Sequence, residues 1–487
     1  MMSKAMPMAA AAVVVAMLLG GCSSPPPPSQ DLARDLSGKV AVDGMYVHLR
    51  KLQEIADAND HSRAEGTPGY DASVEYVVQT LRDKGFDVQT PEFERIGVTQ
   101  PGKPTLSVSG RGYPVDQASL LTPTPAGGLR AATLRPLKPA GCAAADYGTK
   151  KVAGAIAVVD DTGCSVVDKQ NTAVAEGAVG LLVVSNPGAA GGRGLFTPGY
   201  YRGLKVPVAV IDADADNALR RTDAPVVLTL DAKAAMVKSR NVVAQTKTGD
   251  THNVVVAGAH LDTVGGSPGI DDDGTGVAAL LETAAALGSQ PQVKNAVRFG
   301  FWGSEEAVLA GSTNYVRSLN REQLNDIALY LNFDMLGAPN AGFFTYDGDQ
   351  SGTANPDVPA DTVPIGSAGI ERTLAGYLNL AGVRPADMPL GKASDYSPFL
   401  DAGVPIGGTT TGAAQRKTEL QARLWGGTSG VPFDRNYHLP GDDIRNIDRD
   451  ALAVMGPAVA FAVGTYAQSL EGVNGVPTHE QRRRNTP

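Results

Sequence analysis

Cysteine is scarce in this 487-residue chain, which contains only Cys22, Cys142 and Cys164. No two of them form a C-x-x-C pair, and none stands beside a histidine in the sequence. Thiolate zinc sites and thiol redox chemistry both need such groupings, so they are poorly supported here.

Several catalytic motifs are also missing. The sequence has no H-E-x-x-H and no Walker-type segment, which argues against zincin metalloproteases and nucleotide-binding proteins. The segment GGSPG, Gly265 to Gly269, fits the G-x-S-x-G pattern of serine hydrolases. A nucleophile elbow requires a helix directly after the serine, whereas a loop continues here through Pro268. Ser267 is therefore not expected to be a nucleophile.

Positive charge is in short supply. The chain has 42 Lys and Arg against 51 Asp and Glu, which gives a net charge of −9 at pH 7 and a pI near 5.3. Phosphate binding needs a concentrated basic surface, so this balance argues against a nucleic-acid partner. The basic run Arg482 to Arg484 lies in a polar tail, and we expect residues 471–487 to be disordered.

The N-terminal apolar run is too short to span a bilayer. Residues 9–19 are apolar, with a lysine before them and two glycines after them, which indicates a signal peptide over residues 1–21. The segment Leu19-Gly20-Gly21-Cys22 resembles a bacterial lipobox, which implies lipidation of Cys22 and a Ser/Pro tether over residues 22–38. The alternative is a cleaved secretory signal with an incidental cysteine.

Either alternative exports the protein, and lipidation would anchor it to the outside of the cell membrane. In an oxidising compartment the remaining pair, Cys142 and Cys164, can bridge, so we expect a disulfide between them.

The first half of the sequence indicates helices followed by a β-rich block. Residues 101–139 are rich in Gly, Pro and Thr with short apolar runs. Helical spacing occurs over residues 43–59, 70–84 and 167–176, and strand-like patterns over 86–98, 152–159 and 179–184. The stretch GAIAVVDDTGCSVVDKQNTAVAEGAVGLLVVSN resembles the protease-associated domain that is inserted in some exopeptidases. A generic α/β insertion is the alternative.

The second half alternates between strands and helices. We expect strands at 254–259, 296–302 and 328–333, and helices at 275–287, 309–319 and 450–470. This order predicts an α/β fold with a mostly parallel mixed sheet sandwiched by helices, into which the β-rich block is inserted. We expect a signal peptide over residues 1–21 and a tether over residues 22–38. The main domain is expected in two parts, residues 39–104 and 237–470, with the insertion between them over residues 105–236. A tail is expected over residues 471–487.

Acidic and histidine residues follow three of the expected strands. They are His260 and Asp262 after the first, Glu305 and Glu306 after the second, and Asp334 after the third. Ligands bind at the carboxyl ends of strands in open α/β sheets, so these residues are expected to converge.

Two further segments supply ligand-type residues. The glycine-flanked turn GIDDDGTG holds Asp271 to Asp273, and FDRNYHLPGDD holds His438. Imidazole and carboxylate are the zinc ligands available without thiolates. Two zinc ions about 3.5 to 4 Å apart need roughly five protein ligands if one carboxylate bridges them, and these segments provide that number.

Together, GAHLDTV, GIDDDGTGVAALLE, RFGFWGSEEAVLAGS, YLNFDMLG and FDRNYHLPGDD resemble the signature segments of the co-catalytic zinc aminopeptidases, which have the zinc exopeptidase fold. The resemblance covers residues 43–470 without the insertion. It implies that His260 and Asp334 bind one zinc ion, that Glu306 and His438 bind another, and that Asp272 bridges the two.

The resemblance also implies catalytic roles. Glu305 would be the general base that activates a water bridging the metals, and Tyr437 would donate to the oxyanion. Asp262 is the expected acceptor that orients the His260 imidazole, with a strand-end cap as the alternative. A cis peptide bond is implied between Asp272 and Asp273.

One segment departs from the family pattern. The family sequence Gly-Arg-Ser-Asp-His is replaced by GKASD followed by Tyr396, and Ala393 stands where an arginine occurs. Lys392 is a candidate substitute. This departure affects recognition of the substrate terminus, not the metal set.

The expected function is therefore zinc-dependent removal of the N-terminal residue from peptides that have a free N-terminus. Two alternatives remain open: another di-zinc hydrolase of the same fold, such as a carboxypeptidase or amidohydrolase, and a non-catalytic envelope binding protein.

Overall fold

The computed structural model describes residues 31–185, 194–197, 199–353, 355–471 and 475–485. The helices in these residues are α1 Leu32–Ser37, α2 Val42–Asp57, α3 Pro68–Asp83, α4 Val166–Ala175, α5 Ala213–Leu219, α6 Thr275–Leu287, α7 Ala310–Ser318, α8 Arg321–Asp326, α9 Ser367–Leu380, α10 Tyr396–Asp401, α11 Glu419–Trp425 and α12 Arg449–Gln468. The expected signal peptide and the lipidation candidate Cys22 lie outside the described residues.

The strands are β1 Asp87–Gln89, β2 Glu92–Gln100, β3 Thr105–Val108, β4 Arg111–Pro114, β5 Asp116–Gln117, β6 Leu129–Ala131, β7 Thr133–Leu134, β8 Ile156–Asp160, β9 Gly180–Val184, β10 Val208–Ile211, β11 Val226–Thr229, β12 Lys233–Arg240, β13 Val242–Gln245, β14 Asp250–His260, β15 Asn295–Trp302, β16 Ile327–Phe333, β17 Phe344–Tyr346, β18 Ala386–Met388 and β19 Ile406–Thr410.

The main sheet has eight strands in the order β1-β13-β15-β14-β16-β19-β17-β18. Its centre, β15-β14-β16-β19, is parallel, and β13 and β17 join it in the antiparallel sense. The register pairs His260 with Trp302 and Gly258 with Asn332. The carboxyl ends of β14, β15 and β16 therefore meet at one edge. The predicted mostly parallel mixed sheet is confirmed.

Helices cover both faces of this sheet because its central strands are apolar on both sides. Along β14, Val255 and Ala257 pack into the core under α2, α3, α6 and α12, whereas Val254 and Val256 pack into the core under α7, α8 and α10. This is the two-residue alternation of a strand. Asp448 caps the last helix, since its side chain accepts from the backbone N–H groups of Asp450 and Ala451.

The insertion has its own sheets and cores. A five-stranded sheet, β5-β10-β9-β8-β7, and an antiparallel four-stranded sheet, β4-β3-β11-β6, pack with α4 and α5. Strand β8 alternates in the same way, with Ile156 in one core and Ala157 in the other. The chain enters and leaves this part through the antiparallel ribbon of β2 and β12, beside which the Asn241 N–H donates to the Pro91 carbonyl at 3.0 Å.

The predicted disulfide between Cys142 and Cys164 is confirmed. It joins two loops of the insertion. Lys169, which is fully buried, donates from Nζ to the carbonyls of Ala140 at 2.7 Å and Thr162 at 2.5 Å, and so ties the same two loops by hydrogen bonds.

Two expectations about the ends of the chain need correction. The expected tether over residues 22–38 instead contains helix α1, because Leu36 is buried against α12. The expected disordered tail is instead packed over residues 475–485. Its arginines Arg482 and Arg484 are only 4% and 7% exposed. They are buried because backbone carbonyls of neighbouring segments accept their hydrogen bonds.

Replacing Arg484 with methionine is expected to lower the free energy of unfolding by about 2 to 3 kcal/mol. Arg484 donates to the carbonyls of Leu324, Gly403 and Ile327, at 3.3, 2.5 and 2.6 Å, and the variant removes all three of these hydrogen bonds. Chemical denaturation measures the change. The matched control is Arg483→Met, which removes an exposed arginine next to it and should change stability by less than about 0.5 kcal/mol. Equal effects of the two variants would contradict the packed tail.

Candidate metal centre

Two histidines and two carboxylates converge on the two oxygens of Asp272. His260 Nε2 lies 3.0 Å from Asp272 Oδ1 and 3.7 Å from Asp334 Oδ1. His438 Nε2 lies 3.2 Å from Asp272 Oδ2 and 3.1 Å from Glu306 Oε2. Within each set the potential ligand atoms lie within 4.8 Å of one another. The structure therefore brings together all five residues that the resemblance implied as ligands, in two sets that share Asp272.

The parallel strands explain this convergence. His260 is the last residue of β14, Asp334 follows the end of β16, and Glu306 stands in the turn after β15. Asp272 lies in the turn that precedes α6, and His438 lies in the long connection between β19 and α12. The five segments are distant in sequence, and the common edge of the sheet brings them together.

The backbone around these residues adopts rare conformations. Among the described residues, nine that are not glycine have positive φ, and five of these adjoin or line the centre: Ser304, Val308, Leu309, Met335 and His438. Such a conformation costs of order 1 to 3 kcal/mol for each residue and persists only where the surrounding structure enforces it. The peptide bond between Asp272 and Asp273 is cis.

Two further aspartates hold the backbone of the centre. The Asp273 carboxylate accepts from the backbone N–H groups of His260 at 3.1 Å and Met335 at 3.2 Å. The Asp442 carboxylate accepts from the N–H groups of Asp271 at 2.8 Å and Asp272 at 3.1 Å. These bonds fix the backbone at the ends of β14 and β16 and in the turn that carries Asp272.

The Asp262 carboxylate binds the backbone that follows β15. It accepts from the backbone N–H groups of Glu305 at 2.9 Å and Glu306 at 3.3 Å, and its Oδ1 lies 3.9 Å from His260 Nδ1. The atom that Nδ1 contacts is the backbone carbonyl of Asp262, at 2.9 Å. From the sequence we expected the Asp262 carboxylate, and not its backbone carbonyl, to accept from His260.

This contact orients the His260 ring. A carbonyl only accepts, so Nδ1 donates to it, and Nε2 is the ring nitrogen that faces Asp272 and Asp334. Burial acts to lower the pKa of His260, but the surrounding carboxylates outweigh it and hold that pKa well above its usual value, as they would stabilise any positive charge at this position. The donor set therefore fits a metal ion at this position.

The charges of the site lead to the same conclusion. Burial raises the pKa of Asp334 to about 6 and that of Glu305 well above its usual range. Burial also acts to raise the pKa of Asp272, but hydrogen bonds from His260 and His438 outweigh it and hold that pKa below its usual value. Glu306 Oε1 is buried without a hydrogen-bond partner. The centre thus concentrates negative charge that divalent cations would compensate.

A cavity of about 550 Å³ opens onto these residues. The Glu305 side chain and the Tyr437 ring line it, and Tyr437 stacks on His438 with ring centroids 3.8 Å apart. The apolar side chains on the walls are Val308, Leu309, Met335 and Met388.

The residues that depart from the family pattern also line this cavity. Lys392 forms an ion pair with Asp401, which directs its ammonium group to that carboxylate. The Tyr396 hydroxyl accepts from the backbone N–H of Gly391 at 2.7 Å, so this tyrosine holds the loop that precedes it. Ala393 contributes only a methyl group to the wall.

Arg63 is a supporting residue that sequence reasoning missed. It is fully buried and donates to the carbonyls of Leu261 at 2.6 Å, Pro268 at 2.9 Å and Gly269 at 2.7 Å. The loop between His260 and Asp272 therefore wraps around one guanidinium. No local pattern marks Arg63, because its acceptors are backbone atoms about two hundred residues away.

Ser267 lies in this loop and is buried. Its hydroxyl donates to the Leu439 carbonyl at 3.0 Å, which joins the loop to the segment that carries His438. Ser394 was also missed. Its hydroxyl donates to Asp334 Oδ2 at 2.9 Å and fixes that carboxylate.

Comparison with known proteins identifies relatives along most of the chain. The model of peptidase family M28 matches residues 241–463, and the model of the PA domain matches residues 129–219. The probable lipoprotein aminopeptidase LpqL of Mycobacterium tuberculosis is 48% identical over 463 residues, which cover 93% of this chain and 90% of the relative. An aminopeptidase of Pseudomonas aeruginosa is 38% identical over 443 residues, which cover 88% and 81%.

Two solved structures share the fold. An aminopeptidase from Aneurinibacillus has a TM-score of 0.52 at 22% identity, with 90% of this chain and 96% of that chain covered. A zinc aminopeptidase from Bacillus subtilis has a TM-score of 0.51 at 24% identity, with 90% and 98% covered. The predicted α/β fold with an inserted protease-associated domain is confirmed.

Replacing Arg63 with methionine is expected to weaken zinc binding by about 10- to 100-fold, because the loop between His260 and Asp272 loses its three donors. Titration of the metal-stripped protein with zinc measures the affinity. The matched control is Arg50→Met, which removes an exposed arginine from α2. Unchanged affinity in Arg63→Met would show that the guanidinium does not organise the centre.

Proposed function

Because this chain belongs to peptidase family M28 and is a metallo-aminopeptidase, we propose that it uses two zinc ions to remove the N-terminal residue from peptides. The observation that supports this most directly is the position of Asp272. Each of its two oxygens faces one imidazole and one further carboxylate, as a ligand shared by two cations would.

In this proposal His260 and Asp334 hold one ion, Glu306 and His438 hold the other, and Asp272 contacts both. Two nitrogen and three carboxylate ligands suit zinc. The orientation of His260 Nε2 towards Asp272 and Asp334, and the unpartnered Glu306 Oε1, support this assignment.

When bound at such a site, zinc polarises the scissile carbonyl and lowers the pKa of bound water to about 7. Glu305 takes the proton from the attacking water and passes it to the leaving amine. Burial supports this role, because it raises the pKa of Glu305 and so strengthens it as a base. The Tyr437 hydroxyl donates to the carbonyl oxygen as negative charge develops there. Asp262 positions Glu305 through the backbone bond described above.

A peptide with a free N-terminus is the substrate that the charges favour. The described lining of the cavity carries the carboxylates of Glu305, Glu306 and Asp334, which attract an amino group. Lys392, a cation of the described lining, is paired with Asp401 and does not present free positive charge for a substrate carboxylate. The apolar walls favour an apolar first residue.

We propose that the protein works outside the cytoplasmic membrane and is anchored there through lipid on Cys22. The lipobox-like sequence and the name of the mycobacterial relative, a probable lipoprotein, support this location. The confirmed disulfide between Cys142 and Cys164 is consistent with export, because such bonds persist in oxidising compartments.

For the domain limits we propose a peptidase domain over residues 39–104 and 237–470, with the protease-associated insertion over residues 105–236. The match of the PA model to residues 129–219 and the separate cores of the insertion support this division.

Replacing Glu305 with glutamine is expected to lower kcat by about 10² to 10⁴ while zinc content stays at the level of the unmodified protein, because the base is lost and the ligands remain. Its matched control is Glu306→Gln at the next position, which should lose zinc as well as activity. Metal analysis and hydrolysis of an aminoacyl anilide distinguish the two variants. A normal kcat in Glu305→Gln would remove this residue from the mechanism.

Chelation is expected to abolish hydrolysis of an aminoacyl anilide, and added zinc to restore it. The same anilide with a blocked amino group should not be cleaved, because the proposed site recognises a free amine. Cleavage of the blocked substrate would indicate an amidohydrolase, and release of C-terminal residues from peptides would indicate a carboxypeptidase.

A further inference from the structure

A second group of metal-binding side chains lies at the opposite end of the main sheet. His252 Nδ1 lies 2.8 Å from Asp326 Oδ1, and His479 Nε2 lies 3.1 Å from the same oxygen. The three ligand atoms lie within 4.8 Å of one another, and the two imidazole centroids are 5.5 Å apart. His252 comes from the start of β14, Asp326 from the end of α8, and His479 from the C-terminal tail.

We propose that His252, Asp326 and His479 form a zinc site that fastens the C-terminal tail to the main sheet. Two imidazoles and one carboxylate are a frequent three-residue ligand set for zinc, with water in the fourth position. Exposure fits that arrangement, because the side chains of His252 and His479 are 64% and 32% exposed and leave room for the water.

The hydrogen bonds of Asn325 support a cation at this position. The Asn325 side-chain amide nitrogen donates to the His479 carbonyl at 3.0 Å, which fixes the orientation of the amide. The same nitrogen lies 3.1 Å from His479 Nε2. Nε2 also lies 3.1 Å from Asp326 Oδ1, so this one ring nitrogen has a donor and an acceptor as neighbours, and a single proton or lone pair satisfies only one of them. A cation that joined Nε2 to Asp326 would satisfy both of these atoms and leave the Asn325 amide bonded to the His479 carbonyl.

The catalytic centre has a comparable geometry. There His260 Nε2 lies 3.0 Å from a carboxylate oxygen of Asp272. The pairs His252–Asp326 and His479–Asp326 reproduce this distance within about 0.2 Å. By contrast, the exposed pair His61–Asp57 has one imidazole beside one carboxylate and is not part of any three-residue group in the described chain.

The surrounding charges are compatible with a divalent cation. Asp250 lies on the same strand as His252, and its carboxylate accepts from the His252 N–H at 2.9 Å. Arg482, which lines the same cavity as His479, directs its guanidinium to backbone carbonyls of His252 and Asn325, each at 2.8 Å, and to the side chain of Asn253. Its charge is therefore engaged by these acceptors.

This site is separate from the catalytic centre. His252 and His260 lie on one strand, eight residues apart, which corresponds to roughly 26 Å. Asp326 and Asp334 likewise precede and follow β16. Substitutions at the second site should therefore leave the catalytic ligands in place.

The test compares bound zinc in the full-length protein and in His252→Gln/His479→Gln. Both proteins are dialysed to equilibrium against micromolar free zinc, and metal analysis gives the zinc per chain. The expected result is one ion fewer in the double variant, with unchanged kcat on an aminoacyl anilide. The difference does not depend on how many ions the catalytic centre holds. The matched control His61→Gln should keep the full number.

Hydrogen exchange over residues 475–485 provides a second readout, and Asp326→Asn a second variant. Zinc should slow exchange in the tail of the unmodified protein and of His61→Gln, but not in the double variant or in Asp326→Asn. Equal zinc content in the unmodified protein and the double variant, or equal loss in His61→Gln, would overturn the proposal. Zinc-independent exchange of the tail in the unmodified protein would overturn the fastening role.

Discussion

An imidazole nitrogen held against buried carboxylates is the interaction on which the centre depends. His260 can present Nε2 to Asp272 and Asp334 only because the carbonyl of Asp262 binds its other nitrogen. Without cations the carboxylates gathered around these imidazoles repel one another, and the fold must hold them in place. The bonds from Asp273, Asp442 and Arg63 to backbone atoms supply that restraint. Much of the buried polar structure near the carboxyl edge of the sheet therefore serves to hold like charges together.

The sequence predicts the sheet and the helices well because burial makes apolar residues recur at the spacing of a strand or of a helix. Strand β14 is apolar on both faces, and helix α6 begins and ends where the pattern places it. Four of the five ligand-type residues are also predictable, since each follows a strand or stands in a glycine-flanked turn, whereas His438 was assigned through the family resemblance of its segment. Arg63 and Ser394 could not be found in this way. Their partners are backbone atoms or carboxylates far along the chain, and only the folded structure brings those partners close.

Composition misled at both ends of the chain. A tail that contains three consecutive arginines suggests solvent exposure, yet Arg482 and Arg484 are buried because backbone carbonyls at the amino edge of the sheet accept their hydrogen bonds. The segment before residue 38 similarly contains Leu36, which completes the core beside α12. In both cases the contacts of one or two side chains determine that the segment is packed, although its composition is mostly polar. Packing depends on individual contacts and not on mean hydropathy.

The ribbon of β2 and β12 has an evolutionary consequence. Pro91 and Asn241 are hydrogen-bonded neighbours, so the chain leaves the peptidase part and returns to it at adjacent points. The insertion is therefore attached like the tip of a hairpin. The entropic cost of closing such a loop grows only slowly with its length. One genetic event can therefore add or remove the insertion without shifting the register of the eight strands. The peptidase part and the insertion can therefore diverge in sequence at different rates, and another domain could be joined to the peptidase part at the same ribbon.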